Sequence, residues 1–378
     1  MIIKYLGIIV LAGSLIGCGS SSSSTGDVAD VETTQQKMQA LGKKIFFDEN
    51  LSSQANQSCA SCHDPLTGFA DPDVAVNAPV SMGSETGSFG NRNAPTSAYA
   101  FLTPAFSKTT TDTTLDGTTS NYRGGQFLDG RRSTLVEQAK DPLLNPAEMN
   151  NTDASQVVSK VSMSSYAGEF IALFGDGAFD NIDTAYTNIA RAIAAFEASD
   201  EMNPFSSKFD NVMANTATFT ASEQRGFDLF KGTKAKCANC HTLSDNGPIL
   251  FTNHRYYNIG TPSNADNPAV ISVSNYVDNG LSENDLIDAG DVAQEVGKFR
   301  VPTLRNIDKT APYMHNGVYQ TLEDVVAHYD QRMQFAIAEV DDINIALEVA
   351  RDVDDNTLGL SPLESADLVN FMKTLSDE

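Results

Sequence analysis

Apolar residues recur at helical spacing in a few separated stretches, divided by long runs rich in Gly, Asn, Pro and Thr. From Asp183 to Ala198, Ile189, Ile193 and Phe196 fall three and four residues apart, which predicts a helix burying one face. Two other segments share a pattern: Leu41-Gly42-Lys43-Lys44-Ile45-Phe46 and Arg225-Gly226-Phe227-Asp228-Leu229-Phe230. Each places a glycine beside apolar residues at helical spacing. Thr220 and Glu223 predict a capping box before the second. Thr321, with Asp324 three residues on, predicts the start of a helix through His328 and Tyr329. Ser361-Pro362-Leu363-Glu364 opens a last helix with cap, first-turn proline and capping acid together. Residues 80–125 and 242–310 lack sustained periodicity and read as ordered loops. The expected class is all-α.

The first residues follow a different logic. Lys4 precedes a mostly apolar run from Tyr5 to Ile16, the layout of a secretory signal and too short to favour a membrane span. The run ends in Leu15-Ile16-Gly17-Cys18, which resembles the bacterial lipobox; that resemblance implies cleavage after residue 17 and lipid on the Cys18 thiol. Residues 18–35, with five serines from Ser20 to Ser24, are too polar to fold and read as a tether. Gly19 after the cysteine favours the outer membrane by the usual sorting rule, so the expected location is the periplasm, with the membrane touched only through the lipid.

The 378 residues suggest about two domains. With 49 acidic against 25 basic side chains, the net charge of −24 argues against nucleic-acid binding and leaves a basic redox partner or small neutral substrate compatible.

Four of the five cysteines form Cys59-Ala60-Ser61-Cys62-His63 and Cys237-Ala238-Asn239-Cys240-His241. C-x-x-C-H is the signature of covalent c-type haem attachment. Two thiols add to the porphyrin vinyl groups, and the following imidazole ligates the iron. A four-sulfur zinc site, a redox dithiol and structural disulfides compete, but zinc would leave both histidines unexplained. Two haem c groups account for every remaining cysteine, with a helical pattern before each. Two cytochrome-c-like haem domains packed together, 36–215 and 216–378, follow, with Asn203-Pro204 near the junction.

At this point the chain resembles the bacterial di-haem cytochrome c peroxidases, including the MauG-type enzymes. The resemblance also rests on Asn91-Arg92-Asn93-Ala94-Pro95-Thr96, Gly125-Gln126-Phe127-Leu128-Asp129-Gly130-Arg131 and Asn145-Pro146-Ala147-Glu148-Met149. In the second half it rests on Val301-Pro302-Thr303-Leu304-Arg305-Asn306 and Ala311-Pro312-Tyr313-Met314-His315-Asn316-Gly317. It implies His63 as proximal ligand of the peroxidatic haem and His241 as that of the electron-transfer haem. It also implies Glu148 as distal acid–base group, with Gln138 and Pro142 in the same pocket. A calcium ion would be held by the Asn93 side chain and the carbonyls of Thr310 and Pro312, oxygen donors that suit it. His315 would lie near the electron-transfer haem. His254 reads as a surface or propionate-contacting residue.

Three departures choose a subtype. Ser84 stands where ordinary members of the family carry a distal histidine, and no histidine lies between His63 and His241, so the peroxidatic haem is expected to be open at rest. Tyr329 stands where those members carry a methionine ligand, as in MauG-type proteins; a phenolate favours higher oxidation states than a thioether. His328 or Met314 is the alternative ligand. Leu128 stands where the family often has a tryptophan between the haems. With no tryptophan in the chain, direct transfer or a route through Tyr122 or another tyrosine would have to replace it.

The leading function is reduction of hydrogen peroxide to water with electrons from a small cytochrome c or cupredoxin. A MauG-like oxidation of side chains on a protein substrate and a non-catalytic di-haem electron carrier are the alternatives, and the family resemblance leaves a homodimer open.

Overall fold

The computed structural model describes residues 33–74, 78–109, 120–243, 247–331 and 358–378; the expected signal segment and Cys18 lie outside the described residues. The first half contributes α1 (Thr34–Phe46), α2 (Cys59–Cys62), α3 (Leu135–Gln138), α4 (Asp141–Leu144), α5 (Ala154–Ser162), α6 (Ala167–Phe174) and α7 (Ile182–Glu197). The second contributes α8 (Lys208–Met213), α9 (Ala221–Lys231), α10 (Pro268–Ser272), α11 (Leu322–Gln331) and α12 (Pro362–Lys373). Among the described residues, no helix is long and apolar enough to cross a membrane.

The repeated glycine explains the repeated pattern. Helix α1 crosses α7 at Gly42, where a Cβ would stand 1.8 Å from the Ala192 carbonyl oxygen. Helix α9 crosses α12 at Gly226, where a Cβ would stand 1.9 Å from the Asp367 carbonyl oxygen. Both crossings are so close that only a residue without a side chain fits. Each pair anchors its own core. Leu41, Ile45, Ile189, Ile193 and Phe196 lie in the first; Phe209, Phe230, Phe251, Leu368 and Phe371 lie in the second. Phe371 meets Phe227, Phe230 and Phe251 at centroid separations of 5.1, 5.2 and 6.2 Å. Such contacts add about 0.5–1.5 kcal/mol each beyond their buried area.

The sequence signals at the helix ends are realised. Thr220 with Glu223 and Ser361 with Glu364 form capping boxes. The Thr321 hydroxyl accepts from the Asp324 N–H at 3.1 Å. The long loops are ordered largely by turns, yet they hold two short antiparallel ladders that helical periodicity cannot announce. In one, β1 (Ser107–Lys108) pairs with β2 (Tyr122–Arg123); in the other, β3 (Tyr256–Tyr257) pairs with β4 (Phe299–Arg300). Arg305 pins the second core: it is buried, donates to both carboxylate oxygens of Asp210 (2.5 and 2.8 Å) and gives its Nε–H to the Ile249 carbonyl at 2.8 Å. Residues 34–378 form one compact unit.

Candidate functional site

Each C-x-x-C-H motif occupies a single tight turn, and the turn aims its histidine. In α2 the thiols of Cys59 and Cys62 face a cavity of about 480 Å³, with His63 at the helix C-cap. His63 Nδ1 donates to the Phe69 carbonyl at 3.0 Å, so its Nε2 carries the free lone pair. The second motif repeats this arrangement: Cys237, Cys240 and His241 line a cavity of about 250 Å³, and His241 Nδ1 donates to the Phe251 carbonyl at 2.8 Å. Burial pulls both imidazoles below their ordinary pKa, His241 to about 4, which keeps them neutral as ligands must be. The cysteine pairs line separate cavities and none of the four is in a disulfide, so neither disulfides nor a four-sulfur zinc site assembles. Among the described residues, no cluster of three or more His, Cys, Asp or Glu side chains could hold a metal.

Glu148, Gln138 and Pro142 line the same cavity as His63, together with Arg131 and Asn145. The Glu148 carboxyl accepts from Asn145 Nδ2 at 2.7 Å. Burial raises its pKa, opposed by the Arg131 charge and the Asn145 bond. The loop before it packs tightly: Ser84 N–H donates to the Glu148 carbonyl at 2.7 Å, and a Cβ on Gly83 would stand 2.5 Å from the Ala147 carbonyl oxygen. Ser84 itself is buried with its hydroxyl turned to Asn56 Oδ1, 2.8 Å away, and accepts from the Gln54 N–H at 3.2 Å. That hydroxyl is committed to residues 54–56 and does not line the cavity.

Tyr329 and Met314 line the second cavity together with His241. His328 is excluded by its own bonds: Nδ1 lies 3.0 Å from the Tyr319 hydroxyl and Nε2 lies 3.0 Å from the Ile259 carbonyl, leaving neither nitrogen free. His315 borders this cavity as well, its ring stacked 3.8 Å from Phe299.

Leu128, Arg300, Pro302 and Thr303 line both cavities and form the wall between them. Leu128 thus stands between the two sites, whereas Tyr122 lines neither. His254 is buried, not a surface residue. Its Nδ1 and the Arg123 Nε have no partner among the described residues. Burial and the nearby Arg300 and Arg123 charges push His254 down to about 3. Two polar atoms here, His254 Nδ1 and Arg123 Nε, lack partners, and a porphyrin's propionates are acceptors that would complete them.

Asn93, Thr310 and Pro312 all border the second cavity, and the Asn93 side-chain amide lies 2.5 Å from the Pro312 carbonyl oxygen. Thr310 turns its hydroxyl to the Ile307 carbonyl at 3.4 Å.

One titratable residue on the first cavity escaped the sequence reading. Glu197, the last residue of α7, is 5% exposed, lines the cavity, and has a carboxylate oxygen without a partner. Burial alone raises its pKa to about 8. Its position four residues beyond Ile193 and eight beyond Ile189, on the same face of α7, could have flagged it.

A family model for di-haem cytochrome c peroxidase matches residues 36–218. The methylamine utilization protein MauG of Paracoccus denitrificans is 38% identical over 314 residues, covering 82% of this chain and 78% of that protein. Cytochrome c551 peroxidase of Nitrosomonas europaea is 32% identical over 293 residues, covering 76% and 71%. Among solved structures, the diheme peroxidase BthA of Burkholderia thailandensis superposes with a TM-score of 0.81 at 32% identity, covering 94% of this chain and 89% of that one.

Proposed function

Because the chain belongs to the di-haem cytochrome c peroxidase family, whose members carry two c-type haems, we propose that it is a peroxidase reducing hydrogen peroxide to water, with the chemistry in the Glu148 cavity. The observation that carries this reading is one enclosure holding two attachment thiols, a neutral imidazole and a half-buried carboxyl. A bound haem supplies the redox-active iron that exchanges electrons with peroxide; every other task falls to the polypeptide.

Glu148 would take a proton from one oxygen of peroxide and return it to the other, which leaves as water. One carboxyl serves both steps when its pKa is near the working pH, and the upward push from burial moves Glu148 that way. Asn145 holds that carboxyl through its 2.7 Å bond. Gln138 and Pro142 shape the space around the substrate. His63 and His241 hold their metals through Nε2, fixed in tautomer by the Phe69 and Phe251 carbonyls. Arg300 and His254 take the propionates.

The resting site is open, a reading supported by the engagement of Ser84 with Asn56 and Gln54. Tyr329 would be the group that holds the electron-transfer haem together with His241, a reading supported by its place on the cavity wall and by the engagement of both His328 nitrogens. Calcium sits among Asn93, Thr310 and Pro312. The Asn93 side chain lies beside the Pro312 carbonyl, and the oxygens of both suit a hard cation. The two haem domains, read from the sequence as 36–215 and 216–378, would share the wall at Leu128; α8, whose Phe209 packs in the second core, supports a junction nearer Asn203-Pro204. Electrons come from a small basic cytochrome c or cupredoxin steered by the acidic surface. The protein works in the periplasm, lipid-anchored through Cys18.

Tyr329 and the open site also favour a second reading, oxidation of side chains on a partner protein; Leu128 between the cavities weighs against it. Steady-state kinetics of the haem-loaded protein with peroxide and a reduced cytochrome c or cupredoxin test the proposal. Donor oxidation at two equivalents per peroxide, slowed by salt, is expected. No turnover with either donor class would refute it.

A further inference from the structure

An aromatic chain runs outward from the wall between the cavities, and nothing above uses it. Arg300 lines both cavities and stands opposite Tyr256 on the β3–β4 ladder, so the two side chains share a face. Their proximity is felt electrostatically: the Arg300 charge works to lower the Tyr256 pKa, against the stronger upward push of burial. Tyr256 meets Phe106 edge-on, with centroids 6.1 Å apart, and Phe106 stacks on Tyr122 at 5.4 Å and 7°. Both tyrosines are buried. Beyond Tyr122 lie charged side chains: its hydroxyl donates to Asp291 Oδ2 at 2.8 Å, and Lys108 sits 5.5 Å over its ring while pairing with Asp288 and Asp291 at 2.6 Å.

The two phenols differ in what receives their proton. Tyr256 donates to the Gly124 carbonyl, an amide oxygen too weakly basic to take a proton. Tyr122 donates to a carboxylate that Lys108 holds ionised and that can take one. A phenol loses an electron readily only when its proton has somewhere to go. Tyr122 therefore differs from Tyr256 in chemistry, not only in position.

We propose that Tyr122 is a redox-active outlet, the buried place where oxidising equivalents generated from peroxide come to rest, one hydrogen bond beneath the charged surface at Asp291, when the electron donor is scarce. The inference rests on the peroxidase reading. In the step, Tyr122 gives its hydroxyl proton to Asp291 and one electron inward through Phe106 and Tyr256; a neutral tyrosyl radical and a protonated Asp291 remain. Peroxide is the terminal oxidant, taking two electrons and two protons in all to become two waters. A one-electron reductant docking beside Asp288, 67% exposed, returns the electron, and Asp291 returns the proton. Because Tyr122 lines neither cavity, the path leads outward and does not join the two sites.

The test is freeze-quench EPR of the haem-loaded protein mixed with peroxide without donor, alongside Soret absorption and peptide mapping of spin-trap adducts. The wild type is expected to give a narrow organic-radical signal, altered by ring-deuterated tyrosine, with the adduct on Tyr122. Tyr122→Phe keeps the stacked ring and should lose that signal; Asp291→Asn keeps the phenol and should diminish it at least several-fold. A Soret response with the same radical in Tyr122→Phe would overturn the outlet and leave the peroxidase reading intact. No Soret response at all would overturn both.

Discussion

Glu197→Gln isolates a single enclosed carboxyl and makes a demand on stability that few substitutions make. Burial raises the Glu197 pKa from 4.5 to about 8, and no neighbouring charge contributes to that shift. Between those values the folded chain keeps a proton at Glu197 that the unfolded chain has released. The Glu197 contribution to stability is therefore greatest below pH 4.5 and falls as pH rises toward 8. The slope is about 1.4 kcal/mol per pH unit, and the full interval amounts to about 5 kcal/mol. Glutamine does not titrate, so the variant loses this slope whatever offset the buried amide introduces. Urea unfolding of the haem-loaded proteins, followed by far-UV circular dichroism at several pH values from about 5 to about 7.5, reads the difference directly. The stability gap should shift in the variant's favour by about 1.4 kcal/mol for each unit of pH. Parallel pH–stability lines would show that Glu197 is ionised in the folded protein and would refute the argument from burial.

Glu148→Gln keeps the shape of the distal wall and removes its proton carrier; kcat for peroxide reduction should fall by about 10²–10⁴ while the haem absorption spectrum is retained. Gly226→Ala forces a methyl against the Asp367 carbonyl 1.9 Å away and should lower stability by about 1–3 kcal/mol. Gly168→Ala, where a Cβ meets nothing within 4 Å, should be neutral or stabilising by up to about 1 kcal/mol; thermal denaturation compares the two. Chelation of calcium should abolish peroxide turnover and added calcium should restore it, whereas Asn93→Ala should weaken the restoration. Turnover indifferent to chelator would refute the assignment of Asn93, Thr310 and Pro312.

Periodicity made the helices legible because amphipathic burial leaves a trace every three or four residues. The helix expected over Asp183–Ala198 forms as α7, displaced by one residue. The glycines of the two repeated segments were visible, but their reason was not: it lies in helices that meet them from 150 and 141 residues further along the chain, at Ala192 and Asp367. The attachment cysteines and their histidines could be read from spacing alone, since covalent chemistry fixes C-x-x-C-H locally. Glu148 could not, because a single glutamate in a loop has no local mark of burial; its context in Asn145–Met149 supplied the expectation. Glu197 lies on the buried stripe of α7 at helical spacing from Ile193, but the sequence alone does not show that a cavity, not an apolar neighbour, meets it there. His254 shows the same limit, its buried environment coming from Arg123 and Arg300, distant in sequence. The ladders β1–β2 and β3–β4 are two residues long, too short for an alternating pattern to register.

The central claim is that one haem site is open beside Glu148 and the other is closed by Tyr329. Low-temperature EPR of the haem-loaded ferric protein, before and after peroxide without reductant, tests it most directly. The account predicts a high-spin signal beside a low-spin one, both lost when peroxide is added. Two low-spin signals, indifferent to peroxide until one haem is reduced, would contradict it by revealing a sixth ligand in the His63 cavity.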